Sequence, residues 1–209
     1  IVIQSGNDAC IVVAEGLSGS EAAFAELMNA KARDLGLKDS HFVNATGWPD
    51  PDHYMTARDL ATLARSLYEE FPEYYHFYSE RSFKYSGIKQ NNRNPTLDRV
   101  EGADGMKTGY TDGSGYGLVA SAERDGRRLI MVLNGMASMA ERGSEAERVL
   151  NWGFGAFGTY KLLRAGETVE TAELWLGQKS AATLVVDHDL TVTLPRASRA
   201  DLKVLVRYE

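Results

Sequence analysis

Apolar and polar positions alternate in two registers along the chain. Phe24, Leu27, Met28, Lys31 and Leu35 recur near the helical period, after Ser18-x-x-Glu21 as a capping pair and before Gly36 as a stop. Thr56-x-x-Asp59 opens a second helix with Leu60, Leu63, Ala64 and Leu67 on one face, and Pro72 starts a further turn through Tyr75. Ser138-x-x-Glu141 opens a third helix, with Val149, Trp152 and Phe157 as its inward face. His41-Phe42-Val43 and Ser82–Ile88 read as extended, and Gln90–Pro95 as an Asn-rich loop. Tyr116–Glu123 and Arg127–Asn134 are two strands joined at Asp125-Gly126, a strong hairpin signal. The apolar run Cys10–Ala14 receives no element.

The pattern changes near residue 158. Strands are expected at Glu167–Leu176, Ala181–Val186, Leu190–Leu194 and Leu202–Tyr208, with His188-Asp189 turning between the middle pair. No helical period follows. The expectation is an α+β part over 1–157, an antiparallel sheet with helices, and a β-rich part over 158–209.

Composition narrows the function classes. The 209 residues suffice to bury about 70% of the unfolded surface. Twenty-nine acidic against 23 basic residues give a net charge of −6, which argues against a nucleic-acid partner. The single Cys10 forms no intrachain disulfide, and no apolar run approaches the roughly 18 residues of a membrane span. His41, His53, His76 and His188 lack metal-ligand spacing, so neither a metal nor a cofactor is expected. The aromatic cluster Phe71, Tyr74, Tyr75, Phe77 and Tyr78 reads as helix packing rather than a carbohydrate platform.

Two motifs carry candidate chemistry. Lys107-Thr108-Gly109 sets a cation, a hydroxyl and an open backbone on consecutive positions, suited to a carboxylate or an acyl carbonyl laid along a strand. Alone it reads as a turn at the start of a hairpin. Ser5-Gly6-Asn7 offers a hydroxyl and a carboxamide in a tight turn, which alone marks a turn or a helix cap. The pair, 102 residues apart, is more informative. Penicillin-binding serine enzymes combine Ser-x-x-Lys, Ser-x-Asn and Lys-Thr/Ser-Gly. The chain resembles the low-molecular-mass penicillin-binding D-alanyl-D-alanine carboxypeptidases. The resemblance extends through Leu27-Met28-Asn29, Thr56-Ala57-Arg58-Asp59, Asn91-x-Arg93-Asn94, Gly117–Ala122 and Asn151-Trp152-Gly153-Phe154.

That resemblance implies a β-lactamase/transpeptidase-like fold followed by part of a small β-rich domain. It implies an acyl-enzyme mechanism that removes the terminal D-alanine of peptidoglycan stem peptides and is blocked by β-lactams. By position, Ser5 relays a proton to the leaving amine and Asn7 holds the substrate amide. Lys107 supplies positive potential, Thr108 binds the terminal carboxylate beside the open Gly109, and the Tyr110 N–H forms half of an oxyanion hole. At Tyr110 several relatives have His. Arg142 matches an arginine near the carboxylate pocket, its alternative being a surface charge at a helix start. The resemblance also implies an extracytoplasmic location and membrane association through a C-terminal anchor.

The first family motif is missing. Ser86-Gly87-Ile88-Lys89 falls between the other two motifs in a strand-and-turn setting, whereas a helix is needed to stack serine and lysine one turn apart. The nucleophile is therefore expected on a preceding segment, the 1–157 domain is expected to be incomplete at its N-terminus, the β-rich domain cut short, and the 209 residues alone inactive. A non-catalytic peptidoglycan-binding remnant and a β-lactamase of related fold are the competing readings. The stretch after residue 158 counts against the second.

Overall fold

The computed structural model describes residues 1–207. The chain divides into two compact units, Ile1–Asn151 and from Trp152 on. The fold is α+β, with helices and antiparallel sheets.

Helix α1 (Asn7–Ser18) takes in the run Cys10–Ala14. Gly19 closes it in the left-handed region (φ 76°), its N–H donating to the Glu15 carbonyl at 2.7 Å. Helix α2 (Glu21–Asp34) follows at once. With only Gly19 and Ser20 between the helices, Ser18 belongs to α1, and the cap is Ser20, whose hydroxyl accepts from the Ala23 N–H at 3.1 Å. Glu21 instead accepts from the Ala45 N–H at 2.9 Å. Ser20→Ala is expected to cost about 1 kcal/mol, read as a lower urea midpoint.

The buried side of α2 is Ala25, Asn29 and Ala32, not the expected apolar row. Phe24, Leu27, Met28 and Leu35 line a shallow pocket with Leu37, Phe42 and Leu63. Asn29 tolerates burial because its amide brackets Phe42, donating to its carbonyl at 2.7 Å and accepting from its N–H at 2.9 Å.

Strands β1 (Ser40–His41) and β2 (Tyr54–Met55) pair briefly before α3 (Ala57–Glu70). Thr56 caps α3 as expected, accepting from the Asp59 N–H at 3.2 Å. The buried Asp59 carboxylate accepts from the Asp39 N–H (2.8 Å) and the Ser40 hydroxyl (2.7 Å), tying the helix start to the preceding loop. After α4 (Pro72–Tyr75), the aromatic cluster splits: Tyr75 is buried and Tyr78 half-buried, while Phe71, Tyr74 and Phe77 are exposed. The four-residue α4 can turn only part of the cluster inward.

The expected single strand over 82–88 is a hairpin of β3 (Ser82–Tyr85) and β4 (Ile88–Asn91). Ser86 and Gly87 both have positive φ (47° and 80°), as a type I′ turn requires. Gln90 and Asn91 are therefore paired, and the Asn-rich loop starts later than expected. A short α5 (Thr96–Arg99) leads into the main sheet.

That sheet runs β5 (Ala103–Thr111), β6 (Gly115–Arg124) and β7 (Arg127–Met136), each antiparallel to the next. The Asp125-Gly126 turn is where the sequence places it, both residues at positive φ. Lys107-Thr108-Gly109 lies inside β5 rather than at a turn, opposite Val119, Leu118 and Gly117. Met106 joins Ala64 and Tyr75 in a core completed by Leu67, Tyr68, Tyr78, Val119 and Ile130.

Helix α6 (Met139–Ala156) is capped by Ser138, which accepts from the Glu141 N–H at 3.1 Å. The expected inward face is wrong. Arg142, Ala146 and Leu150, four residues apart, are buried, whereas Trp152 is 57% exposed and Phe157 begins the next strand.

The second unit contains β8 (Phe157–Leu163), β9 (Thr168–Glu173), β10 (Ala181–Val185) and β11 (Leu190–Pro195). β8 has no counterpart in the sequence reading. β11 pairs with β8 and β10 with β9, so the turn at His188-Asp189 joins strands with different partners. Residues 196–201 form a 3₁₀ helix and 202–207 no regular structure. The strand expected there is absent over the described residues, and Tyr208 lies outside them.

Candidate active site

Among the described residues β5 is an edge strand, and it carries Lys107 and Thr108, both half-buried, and the exposed Gly109. A side chain at Gly109 would meet nothing within 4 Å. The fold does not need glycine there; what the position supplies is accessible backbone.

Ser5 stands in the turn before α1 with φ 63°, an uncommon angle for a residue with a side chain, and its N–H donates to the Ile1 carbonyl at 2.8 Å. The Lys107 ammonium donates to the Ser5 hydroxyl at 2.8 Å and to the Thr108 carbonyl at 2.8 Å. Two segments 102 residues apart in sequence thus meet. Asn7 is the first residue of α1, half-buried and two residues from Ser5.

Both described acceptors of Lys107 are neutral oxygens. Burial, then the charge of Arg93, hold its pKa below the ordinary lysine value; Cys10 opposes them, and Arg142 adds the smallest lowering. A lysine in this state gives up its proton more readily than a free one.

The surface-charge alternative for Arg142 does not hold. It is 6% exposed, so it is no surface charge. Its Nη1 stands 3.5 Å from the Gly109 carbonyl, and its guanidinium lies 5.6 Å from the centre of the Tyr116 ring. Its Nε has no hydrogen-bond partner among the described residues. Burial lowers its pKa. Tyr110, 55% exposed, packs its ring 4.4 Å from that of Tyr116 and donates its hydroxyl to Asp112 at 2.7 Å. The bond to Asp112 pushes the phenol pKa up, keeping it a donor.

Thr108 and Gly109 follow Lys107 on the same strand. Arg93, Tyr116 and Asp112 were not singled out from the sequence as site residues. Arg93 had a signal, as a cation in the quoted Asn91-x-Arg93-Asn94; the other two had none. Ser86 sits in the β3–β4 turn, not on a helix.

Residues 1–137 match the Peptidase S11 family, D-alanyl-D-alanine carboxypeptidase, and residues 157–209 match the penicillin-binding protein 5 C-terminal domain. The D-alanyl-D-alanine carboxypeptidases DacD and DacA of Escherichia coli are 40% and 41% identical over 204 residues, 97% of this chain and 53% and 51% of theirs. The chain therefore spans about half the length of the curated relatives it matches. A crystal structure of penicillin binding protein 5 from Haemophilus influenzae superposes with a TM-score of 0.86 at 38% identity, over 97% of this chain and 59% of that one. Penicillin binding protein 6B from Escherichia coli gives 0.81 at 38%, over 97% and 58%. The α+β architecture is thus that of the penicillin-binding, transpeptidase-like folds, and the chain belongs to the peptidase S11 family of D-alanyl-D-alanine carboxypeptidases.

Proposed function

We infer that this chain is the part of a serine-type D-Ala-D-Ala carboxypeptidase that holds the substrate and moves the leaving-group proton. Its catalytic domain covers 1–157 and a β-rich domain 158–209. The observation that carries the reading is the 2.8 Å contact between Lys107 and Ser5 on an open strand edge.

The chemistry follows from the contacts. The nucleophilic serine and its activating lysine come from a Ser-x-x-Lys segment outside these 209 residues, consistent with relatives of about twice the length. That serine attacks the carbonyl between the two D-alanines. The developing oxyanion meets the Tyr110 N–H, and Asn7 holds the substrate amide. With its lone pair engaged by Lys107, the Ser5 hydroxyl relays to the departing amine the proton that the attacking serine gives up through its lysine, and ends as a hydroxyl again. Thr108, with Arg142 behind the Gly109 carbonyl, receives the terminal carboxylate. Water then hydrolyses the acyl-enzyme.

A β-lactam presents the same carboxylate and carbonyl and stops at the acyl stage. Such an enzyme trims peptidoglycan at the outer face of the inner membrane and bears on cell-wall biogenesis and cell shape. Among the described residues no helix is long and apolar enough to cross the membrane. Membrane association would come through a C-terminal anchor outside the sequence.

The test is to treat the whole protein with a fluorescent penicillin and with a peptide ending in D-Ala-D-Ala. Covalent labelling and D-alanine release are expected. Stem-peptide binding with neither outcome would favour a non-catalytic remnant, and rapid penicillin hydrolysis a β-lactamase.

A further inference from the structure

Charge is distributed unevenly along the β5 rim. Lys107, Arg93 and Arg142 make the Lys107–Gly109 stretch cationic, as their mutual effect on protonation shows. The other end of β5 carries no cation. There the Tyr110 ring lies exposed against Tyr116, with its hydroxyl on Asp112. No lysine, arginine or histidine among the described residues forms an ion pair with Asp112.

The functional reading fixes the direction of a ligand on this rim. The terminal carboxylate lies at Thr108 and the scissile carbonyl at the Tyr110 N–H. The upstream peptide then runs towards Thr111 and Asp112. An extended ligand advances about 3.4 Å per residue, so the residue before the penultimate D-alanine falls beside Tyr110 and Asp112.

We propose that Tyr110 and Asp112 recognise a side-chain ammonium on that upstream residue, making them specificity-determining residues for stem peptides with a free amine. This rests on the carboxypeptidase reading and adds the substrate's charge to it. A carboxylate has about four lone-pair sites, and the Tyr110 hydroxyl occupies one. The remainder face solvent and accept an ammonium, while the aromatic ring offers a cation–π surface. The ring is held by Tyr116 and by Asp112 before the ligand arrives, so little rotamer freedom is lost on binding. The polarity then matches a ligand with an anionic end at Thr108 and a cation upstream.

The whole protein is tested with two peptides, Nα-acetyl-Lys-D-Ala-D-Ala and its Nα,Nε-diacetyl counterpart, by D-alanine release. The free-amine peptide is expected to have a kcat/KM about three to ten times higher at low salt, an advantage that shrinks as salt rises. Asp112→Asn should bring the ratio close to one, and Asp112→Lys should invert it, both with thermal midpoints near that of the starting protein. Tyr110→Phe, which keeps the ring and loses its anchor, should give an intermediate ratio. A ratio near one in the unaltered protein, or the same ratio with Asn or Lys at position 112, overturns the inference while leaving the carboxypeptidase reading intact. If neither peptide releases D-alanine and no penicillin label forms, both fall.

Discussion

Lys107→Ala in the whole protein is expected to slow penicillin acylation about a hundred- to a thousand-fold, the loss typical of removing one preorganised electrostatic group. The lysine reaches the Ser5 hydroxyl at 2.8 Å. Without it Ser5 loses both its partner and the local positive potential, and Arg142, held at the Gly109 carbonyl, does not replace it. Stability should respond differently. The folded chain holds the Lys107 pKa below 10.5, chiefly through burial. Between the folded value and 10.5 the unfolded chain binds more protons, so stability attributable to this group rises with pH through that window and is lowest below it. The alanine variant lacks this gain. Compared by urea unfolding, the two proteins should differ by a smaller margin, or in favour of alanine, at pH 7, and the difference should shift towards the lysine protein at alkaline pH. Undiminished labelling by a fluorescent penicillin would remove Lys107 from the site.

Arg128→Met should produce the largest loss of stability, about 2–3 kcal/mol, read from the urea midpoint. The Arg128 side chain is 16% exposed and joins Asp104 (2.7 Å), Glu123 (2.6 Å) and the fully buried Ser121 hydroxyl (2.6 Å), with its guanidinium 4.0 Å from the centre of the Tyr68 ring. Removing it leaves the half-buried Asp104 carboxylate with the Tyr75 hydroxyl at 3.3 Å as its remaining side-chain partner. The neighbouring Tyr75 is buried, and burial first, with the negative charge of Asp104 adding to it, pushes its phenol pKa to about 12. The cost lies mostly in the stranded charge, so adding Asp104→Asn to the Arg128→Met protein should recover part of the loss. A loss under about 1 kcal/mol would show the network to be well hydrated.

The caps and turns were readable because their interactions are local. Thr56 and Ser138 cap their helices through N–H groups three residues on, and Asp125-Gly126 meets the demand of its turn for positive φ. The errors have physical causes of their own. Ser18 and Ser20 lie two residues apart, and only the joint between α1 and α2 decides which one caps. Ser86-Gly87 carries a turn inside an apparently continuous strand. Trp152 lost its place in the core because Arg142, Ala146 and Leu150 turn inward together on α6.

The sequence by itself determined the two motifs, the turn that folds β6 back on β7 and the helix starts, since each depends on residues within about four positions of one another. Only the tertiary structure decided that the Lys107 ammonium meets Ser5, that Arg142 is buried behind Gly109, that Arg128 gathers two carboxylates, and that β11 pairs with β8. Those contacts join positions far apart along the chain. Periodicity tells which side of an element turns inward, but the partner it finds is selected by packing of the whole fold.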